Sequence, residues 1–329
     1  MLLLLRLPLG YGASPQGASG AMSLLAWNCQ GIGGGLDSIK MKHLSRLIVS
    51  TNAHVIFIFE TKNCTIRCPD LINRFNLENA HIISADGLSG GLWVLSRSDV
   101  QVEVVDSYRF YVFASCYHKH VRKKFGLVCI YGDPYHHQTK WIWKQIRSFV
   151  TANHDLPFIC MGDMNNIMHA SEKTGPGPVN HRLISDFCCL VKDCGFFDLG
   201  YKGPAYTWTN KRFDSYPTYE RLDRFLGNSE WCIHFPGTTV YHLPMLKSDH
   251  APILAVLSSS RGKVSKPFKF ENWWLLNEDF EHIASASWHK SNNRPFHLKT
   301  IFLAKDLVKW HKAKPKNSDA LKVIEDQLL

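Results

Sequence analysis

The most restrictive feature of this chain is an apolar run that ends in a glycine and two polar residues, Ile159-Cys160-Met161-Gly162-Asp163-Met164-Asn165. The apolar part predicts a buried strand that stops at the glycine. Such a strand delivers a carboxylate and a carboxamide, two residues apart, to the carboxyl edge of a sheet. Because Gly-Asp-x-Asn is also a good turn, this motif alone does not establish a site, and its weight comes from similar strand ends elsewhere.

Four other predicted strand ends also carry polar side chains. They are Trp27-Asn28-Cys29-Gln30-Gly31, Ile58-Phe59-Glu60-Thr61-Lys62, Tyr131-Gly132-Asp133-Pro134 and Ser248-Asp249-His250-Ala251-Pro252. Functional residues of layered sheets gather where strands end and loops begin. Singly, each residue has a structural explanation, as a turn former, a solvated strand end or a structural histidine. All five in one chain favour a common site.

The residue types at these strand ends suit the cleavage of a phosphoester with help from a divalent cation. Mg²⁺ prefers oxygen ligands and uses one or two carboxylates beside substrate phosphate. Glu60 is the best candidate ligand, with Asn28 in support. Asp163 has the chemistry to orient or deprotonate an attacking water. The sequence therefore predicts a Mg²⁺ site, with Mn²⁺ as the alternative ion.

The remaining polar side chains are candidates for holding the phosphate. Asn165 and Tyr131 can donate hydrogen bonds to it. Asp249 beside His250 suggests an imidazole held near the scissile phosphate, donating when protonated. Neighbouring residues of one strand point to opposite faces, so an Asp249–His250 pair requires the backbone to turn there.

Composition favours one large domain plus an appendage that acts on a polyanion. The chain has 329 residues, of which 45% are hydrophobic and 12% aromatic, and its formal net charge is +10. None of the ten cysteines forms a Cys-x-x-Cys pair, which suits a reducing compartment. A zinc site among Cys64, Cys68, Cys188, Cys189 and Cys194 fits known ligand spacings poorly. The basic run His118–Lys124 predicts a solvated hairpin tip, with phosphate contact as the alternative.

The order of predicted elements mixes hairpins with helical crossovers and repeats roughly twice. This order predicts an α/β fold, a four-layer α/β sandwich in which helices flank two packed mixed β-sheets. The domain is predicted over residues 22–257, after a disordered extension at 1–21 and before a basic linker and helical tail at 258–329. The apolar start is short and broken by Arg6 and Pro8, so a targeting peptide is not expected. No membrane span and no obligate protein partner are expected.

These motifs resemble the endonuclease/exonuclease/phosphatase superfamily, the DNase-I-like fold. The resemblance is closer to the endonuclease domain of plant non-LTR (LINE-type) retrotransposons. It spans about Met22 to Leu257. Besides the five strand ends, it is carried by Gly90-Gly91-Leu92-Trp93, Ser171-Glu172-Lys173, Tyr206-Thr207-Trp208-Thr209-Asn210 and Arg221-Leu222-Asp223-Arg224. Phe268-Lys269-Phe270-Glu271-Asn272-Trp273-Trp274 looks like the connector that precedes reverse transcriptase in such elements.

The resemblance implies a function and a role for each matched residue. It implies a Mg²⁺-dependent endonuclease that nicks DNA through phosphate-backbone contacts and leaves a 3′-hydroxyl. It places the metal on Glu60 with Asn28 beside it. It implies that Asp163 positions or activates the attacking water and that Asn165 and Tyr131 contact the phosphate. It also implies that Thr207 and Asp223 shape the substrate pocket and that Asp249 orients His250.

The sequence also departs from the family. Gln30 stands where repair enzymes carry an acid, which makes a repair role less expected. No reverse transcriptase motif follows, so a truncated element is expected. Chromatin is the expected location, although the run at 118–124 is the only dense basic cluster. Two alternatives stay open: a phosphatase of the same fold acting on a small phosphorylated substrate, and a non-catalytic nucleic-acid-binding remnant.

Overall fold

The computed structural model describes residues 22–33, 35–212, 216–257, 274–275, 277–290 and 296–313. The predicted extension at 1–21 and the predicted linker and connector up to residue 273 lie outside the described residues. The chain divides into two compact units, Met1–Arg261 and Gly262–Leu329. Each unit is described by itself.

The first unit contains fifteen strands among its described residues. They are β1 Met22–Asn28, β2 Val55–Phe59, β3 Asn79–Ile83, β4 Leu92–Ser96, β5 Val100–Tyr108, β6 Tyr111–His118, β7 Lys123–Tyr131, β8 Phe158–Asp163, β9 Lys173–Thr174, β10 Phe196–Asp198, β11 Trp208–Thr209, β12 Tyr219–Glu220, β13 Asp223–Asn228, β14 Thr238–His242 and β15 Ile253–Leu257. Its helices are α1 Ile39–Thr51, α2 Cys68–Phe75, α3 Thr139–Ala152, α4 His181–Asp193 and α5 Ser229–His234, with a 3₁₀ turn at Ala170–Glu172.

Two mixed six-stranded sheets form the centre of this unit. The first has the strand order β14-β15-β1-β2-β4-β3 and the second β10-β13-β8-β7-β6-β5. Each sheet has one parallel pair at its middle, β1 with β2 and β7 with β8. The carboxyl ends of parallel neighbours lie at the same edge of a sheet. In each pair, the two loops that follow the strands therefore lie close together.

Both faces of the first sheet are packed, and alternate residues of its central strands belong to different hydrophobic clusters. Leu24, Ala26, Phe57 and Phe59 belong to the core cluster that includes the second sheet. Leu25, Trp27, Ile56 and Ile58 belong to a second cluster with α1 residues such as Leu44. Because alternate side chains leave opposite faces, these strands are apolar on both faces and lie between a sheet and a helix layer. The predicted four-layer sandwich is confirmed.

Three local features are not evident from the sequence. Ser38 is the N-cap of α1, because its side chain accepts a hydrogen bond from the Met41 backbone amide. Helix α2 was not predicted, since its eight residues include Pro69 and give too short a pattern. Strand β13 was not predicted either, because its sequence, DRFLGN, contains residues that are depleted in strands.

The second unit is a pair of helices. Helices α6 (Glu278–Lys290) and α7 (Phe296–Ala313) pack on each other. The Ser287 hydroxyl donates to Asp306 Oδ2 at 2.7 Å, and the rings of Trp274 and Trp310 meet edge to face with centroids 5.9 Å apart. A helical tail agrees with the sequence analysis. Within the described part of the chain, no helix is both long and apolar enough to cross a membrane.

A buried histidine in this fold predicts loss of stability in acid. Burial lowers the pKa of His242 from 6.5 to about 4, and its Nδ1 lies 2.7 Å from the Pro204 carbonyl oxygen. Between these pH values the unfolded chain binds a proton that the folded chain does not, so the free energy of unfolding falls as pH drops from about 6.5 to about 4. Urea unfolding of His242→Gln should show a shallower pH slope than wild type. The exposed His154→Gln is the control, and an unchanged slope in His242→Gln would contradict this assignment.

Candidate active site

Register in the second sheet places three predicted site residues side by side. Tyr131 pairs with Asp163 across β7 and β8, and Asp163 pairs with Asp223 across β8 and β13. Directly opposed residues on neighbouring strands project to the same face. The sheet thus presents a phenol and two carboxylates in one row at its edge. Asp163 is the last residue of β8 and lies inside the strand, whereas the sequence analysis placed it just after the strand.

Asp163 connects the two sheets. Its Oδ2 accepts a hydrogen bond from the Asn28 carboxamide at 3.3 Å, and Asn28 ends β1 in the first sheet. Its Oδ1 accepts from the Asn165 amide at 2.8 Å. Asp163 is 1% exposed. Burial raises the pKa of this carboxyl to about 7, against the opposing pull of His250.

His250 lies between two carboxylates, and its partner differs from the predicted one. Its Nδ1 is 2.8 Å from Asp223 Oδ2, and its Nε2 is 3.7 Å from Asp163 Oδ2. Asp249 was expected to orient His250 but instead accepts a hydrogen bond from the Gln30 carboxamide at 2.8 Å. The backbone does turn at this point, since the Ser248 hydroxyl accepts from the His250 amide. That turn sends the two adjacent side chains to different partners.

The carboxylates around His250 favour its charged form. Burial opposes the charge, but Asp223 and Asp163 outweigh it and raise the pKa of His250 to about 9. An imidazolium at this position donates from both nitrogens. With Nδ1 directed at Asp223, Nε2 is the nitrogen that is left to face a substrate beside Asp163. This is a hydrogen-bond donor held in a fixed orientation.

Asp223 and Thr207 were expected to shape a substrate pocket, with Asp223 in its hydrogen-bond network, and in the structure both side chains make hydrogen bonds that position other residues. Both side chains are buried, Thr207 completely. The Thr207 hydroxyl accepts from the amides of Leu222 and Asp223 at 3.0 and 2.9 Å. It thereby fixes the start of β13. Thr207 holds the backbone of Asp223, and Asp223 holds His250.

The predicted metal ligand Glu60 stands next to this row at the end of β2. It has a left-handed backbone, with φ of 54°, and its Oε1 lies 3.1 Å from the Lys62 ammonium. The carboxamide nitrogen of Asn28 donates to Asp163. Its carboxamide oxygen accepts from the Gln30 backbone amide at 3.1 Å. Carboxylate and carboxamide oxygens are ligands that suit Mg²⁺, and an ion at Glu60 would compete with the Lys62 ammonium for the carboxylate.

A second trio of side chains is close enough to hold a metal ion. Asp163, Asp223 and His250 each offer an atom within 4.8 Å of the others. One carboxylate oxygen, Asp223 Oδ1, is buried without a hydrogen-bond partner. A divalent cation bound here would compete with the proton of His250, because a metal needs the lone pair of a neutral imidazole. The site therefore has two candidate positions for a divalent cation, this trio and the predicted ligand Glu60.

Tyr131 and Asn165 complete the edge of the site. Burial, with Glu60 and Asp163 nearby, raises the pKa of Tyr131 far above its ordinary value, so the phenol keeps its proton. The Asn165 carboxamide donates to the Gly132 carbonyl at 2.6 Å. Asn165 has a left-handed backbone with φ of 47°, like Gln30 and Glu60. Non-glycine residues in this conformation cost about 1–3 kcal/mol each and are concentrated at functional sites.

An ionic cluster that the sequence analysis did not predict stands behind Asp223. Arg221 and Arg224 both bind Glu172 and Asp198, and the Arg221–Asp198 contact is a two-pronged one at 2.8 Å. Arg224 is completely buried. Burial opposes charge on Asp198, but Arg221 outweighs it and lowers the pKa of that carboxyl to about 2. The motifs around 171–173 and 221–224 carried a family signal, but only the fold shows that they meet.

This cluster predicts a large loss of stability on substitution. Glu172→Gln should lower the free energy of unfolding by about 3–5 kcal/mol, because it leaves buried Arg224 without full compensation. Asp193→Asn is the matched control: Asp193 pairs with Arg147 at 2.7 Å on the surface, and its loss should cost under about 1 kcal/mol. Equal costs for the two variants in chemical denaturation would contradict a structural role for the cluster.

The basic run His118–Lys124 lies away from this site. It forms the turn between β6 and β7, and Lys123 starts the strand that Tyr131 ends. The nine residues of β7 thus separate the run from the catalytic edge. The run forms a hairpin tip as predicted, except that His118 is buried at the end of β6. Contact of the run with phosphate stays a prediction. All ten cysteines are free thiols.

Comparisons with known proteins find solved structures of the same fold. An AP endonuclease from Leishmania major shares 13% identity, with 73% of this chain and 88% of that chain covered, and a TM-score of 0.58. A variant of the 3′ phosphatase NExo from Neisseria, bound to a product DNA hairpin, shares 16% identity, with 72% and 99% covered and a TM-score of 0.53.

The endonuclease domain of TRAS1, a telomere-specific non-LTR retrotransposon, shares 14% identity, with 73% and 100% covered and a TM-score of 0.52. These likenesses show the fold. No curated protein sequence matches the chain. Residues 25–250 match the sequence profile of the Endonuclease/Exonuclease/phosphatase family, which covers more than half of the chain and contains every residue of the site. The chain belongs to the endonuclease/exonuclease/phosphatase family.

Proposed function

We propose that this protein is a Mg²⁺-dependent phosphodiester hydrolase that nicks DNA. The observation that carries the proposal is the position of His250, held at Nδ1 by Asp223 with Nε2 beside Asp163. A carboxylate and an imidazolium at one edge supply a proton acceptor and a charged donor side by side. Hydrolysis of a phosphodiester needs both.

Asp163 acts on the attacking water. Its carboxylate is fixed by Asn28 from one sheet and by the Asn165 amide from its own loop. Burial raises the pKa of this carboxyl, which makes it a stronger base than an exposed aspartate. The carboxylate orients the water and accepts its proton as the bond from the water oxygen to phosphorus forms. The bond from phosphorus to the 3′-oxygen breaks, and that oxygen takes up a proton from solvent to leave as the 3′-hydroxyl.

His250 and Tyr131 act on the phosphate. The imidazolium donates from Nε2 to a phosphate oxygen and balances the negative charge that grows in the pentavalent transition state. The phenol of Tyr131, kept protonated by its surroundings, donates to the same group. Mg²⁺ bound at Glu60, with Asn28 beside it, would add Lewis-acid stabilisation of the phosphate oxygens.

Charge around the site supports a polyanionic substrate. The Lys40 ammonium is anchored to the carbonyls of Cys29 and Gln30 at 2.7 Å, and the Lys211 ammonium lies 3.3 Å from Gln30 Oε1. With Lys62, three ammonium groups flank the Glu60 side. The net charge of +10 acts in the same direction. Backbone contacts of this kind make binding fall steeply with salt.

We further propose an origin in a LINE-type retrotransposon and a location at chromatin. The motifs quoted above and the likeness to the TRAS1 endonuclease domain support this origin. The 3′-hydroxyl left by a nick could prime DNA synthesis. Imaging of a fluorescent fusion tests the location, and a signal excluded from the nucleus would contradict it.

Relaxation of supercoiled plasmid tests the proposed reaction. Wild type with Mg²⁺ should convert the plasmid to open circles, and EDTA should abolish the conversion. Glu60→Gln should raise the Mg²⁺ concentration needed for half-maximal rate, because a neutral amide binds Mg²⁺ more weakly. Asp155→Asn, on the exposed surface, should behave like wild type. Full activity in EDTA would refute the metal requirement.

The same preparations separate the alternatives. Release of inorganic phosphate from inositol phosphates, without nicking, would favour a phosphatase acting on small molecules. Plasmid binding without nicking at any Mg²⁺ or Mn²⁺ concentration would favour a non-catalytic binding protein.

A further inference from the structure

Two large aromatic side chains are exposed next to the catalytic edge and have no role in the site described above. Tyr108, at the end of β5, is 42% exposed, and Trp141, in the first turn of α3, is 39% exposed. Their ring centroids lie 4.9 Å apart with the planes at 66°. The two rings form a corner, in which one ring offers a face and the other an edge. This corner is called the aromatic corner below.

The aromatic corner is held by buried rings beneath it. Tyr111 lies 6.2 Å from Tyr108 and 5.9 Å from Trp141, and it stacks on Phe113 at 4.2 Å. The Tyr111 hydroxyl also donates to Asp106 Oδ2 at 3.0 Å. Rings fixed in this way lose little further freedom when a ligand stacks on them.

The aromatic corner adjoins the active site through two short connections. The Tyr131 amide donates to the Phe110 carbonyl at 2.8 Å, and the two rings lie 6.4 Å apart. Phe110 is two residues from Tyr108 in the β5–β6 turn. A loop of seven residues, Gly132–Gln138, joins Tyr131 to α3. A strand whose phosphate lies at Tyr131 therefore passes the corner within a few nucleotides.

The charge around the aromatic corner is suited to a nucleic acid strand. Arg109, between the two strands, and Lys140 and Lys144 on α3 are exposed. The acids nearest in sequence are engaged: Asp106 accepts from Tyr111, and buried Asp133 accepts from the amides of Tyr135 and Gln138. Cations beside exposed aromatic rings are the arrangement that binds single strands, where bases stack on the rings and phosphates meet the cations.

We infer that the aromatic corner binds an unpaired base in the strand that flanks the scissile phosphate. Inside a continuous duplex both faces of a base are covered by neighbouring bases, so a protein ring stacks only on a base that is frayed, bulged or single-stranded. The inference rests on the proposed function and deepens it. It makes the substrate class a duplex with an unpaired flank, such as a junction, a frayed end or a bubble.

Binding in EDTA tests the inference without any cleavage. The probes are two hairpin DNA oligonucleotides of equal length, one fully paired and one with an unpaired flank that carries 2-aminopurine. Wild type should bind the flanked probe more tightly and quench its fluorescence. Trp141→Ala and Tyr108→Ala should each weaken that binding by about 10-fold and remove the quenching, while changing binding of the paired probe less than about 2-fold. Trp141→Phe should retain most of the affinity for the flanked probe that Trp141→Ala loses.

Tyr117→Ala is the matched control, because Tyr117 is an aromatic residue of similar exposure (38%) towards the other end of β6. Equal losses on both probes, or losses no larger than those of the control, would overturn the inference. A change in self-association without a change in DNA binding would overturn it in favour of a protein interface. A wild type that quenches 2-aminopurine but never nicks DNA would refute the proposed reaction and leave the aromatic corner supported.

Discussion

Asp163→Asn should reduce plasmid nicking by about 10²- to 10⁴-fold while making the protein more resistant to unfolding at pH 8. The loss of activity follows from removing the proton acceptor at the attacking water. The gain in stability follows from the raised pKa of Asp163, about 7 in the folded protein against 3.8 as the ordinary value. Between these pH values the unfolded carboxyl is ionised and the folded one is protonated, so wild type loses stability as pH rises through this range.

The amide of Asn imitates the neutral carboxyl and avoids that cost at every pH. Thermal unfolding at pH 8 and at pH 4 measures the stability difference. The midpoint temperature of the variant should exceed that of wild type at pH 8, and by much less at pH 4. Asp155→Asn, an exposed change of the same chemistry, controls for charge. A variant that retains wild-type nicking, or that melts earlier than wild type at pH 8, would contradict the assignment of Asp163.

Asp223→Asn should reduce nicking by roughly 10²-fold or more, whereas Asp249→Asn should have a clearly smaller effect. Asp223 holds His250 at Nδ1 and is the largest of the charges that raise the pKa of His250; Asp249 contributes least of the causes that raise it. An amide at position 223 weakens the orientation of the ring and its charge together.

The pH dependence of the rate distinguishes this role from a general structural one. Activity that needs a protonated His250 falls as pH rises through its pKa, which is about 9 in wild type. In Asp223→Asn this fall should move to lower pH, because a counter-charge is lost, while Asp249→Asn should shift it less. A larger shift in Asp249→Asn would contradict this assignment and would favour Asp249 as the residue that orients His250.

The fold could be predicted from the sequence because the central strands are apolar on both faces and end in recognisable loops. The run before Asp163 and the run before Glu60 are continuous apolar stretches, which is typical of strands buried on both sides. Strand β13 does not have this character, since Asp223 and Arg224 lie within it. Its strand structure comes from backbone pairing with β8 and β10, and the charge of buried Arg224 is compensated by Glu172 and Asp198, more than 20 residues away. No local pattern reports such contacts.

The site was predicted as a set of residues, but its internal pairing was not. Asn28, Glu60 and Asp163 were identified because polar residues after apolar runs are visible in any sequence, and His250 because it lies in a polar segment just before the last strand. The choice between Asp223 and Asp249 as the partner of His250 depends on one turn at Ser248. Adjacency in sequence suggested Asp249, whereas the register of β13 with β8 brings Asp223 into the row.

The hydrogen bond from Asn28 to Asp163 spans the interface between the two sheets. The proposed reaction consequently depends on the two halves of the sandwich keeping their spacing to within a fraction of an ångström. A small shift of one sheet against the other would break the hydrogen bond between Asn28 and Asp163 while the backbone hydrogen bonds within each sheet stayed intact. On heating or in mild denaturant, turnover should cease before circular dichroism registers any loss of secondary structure.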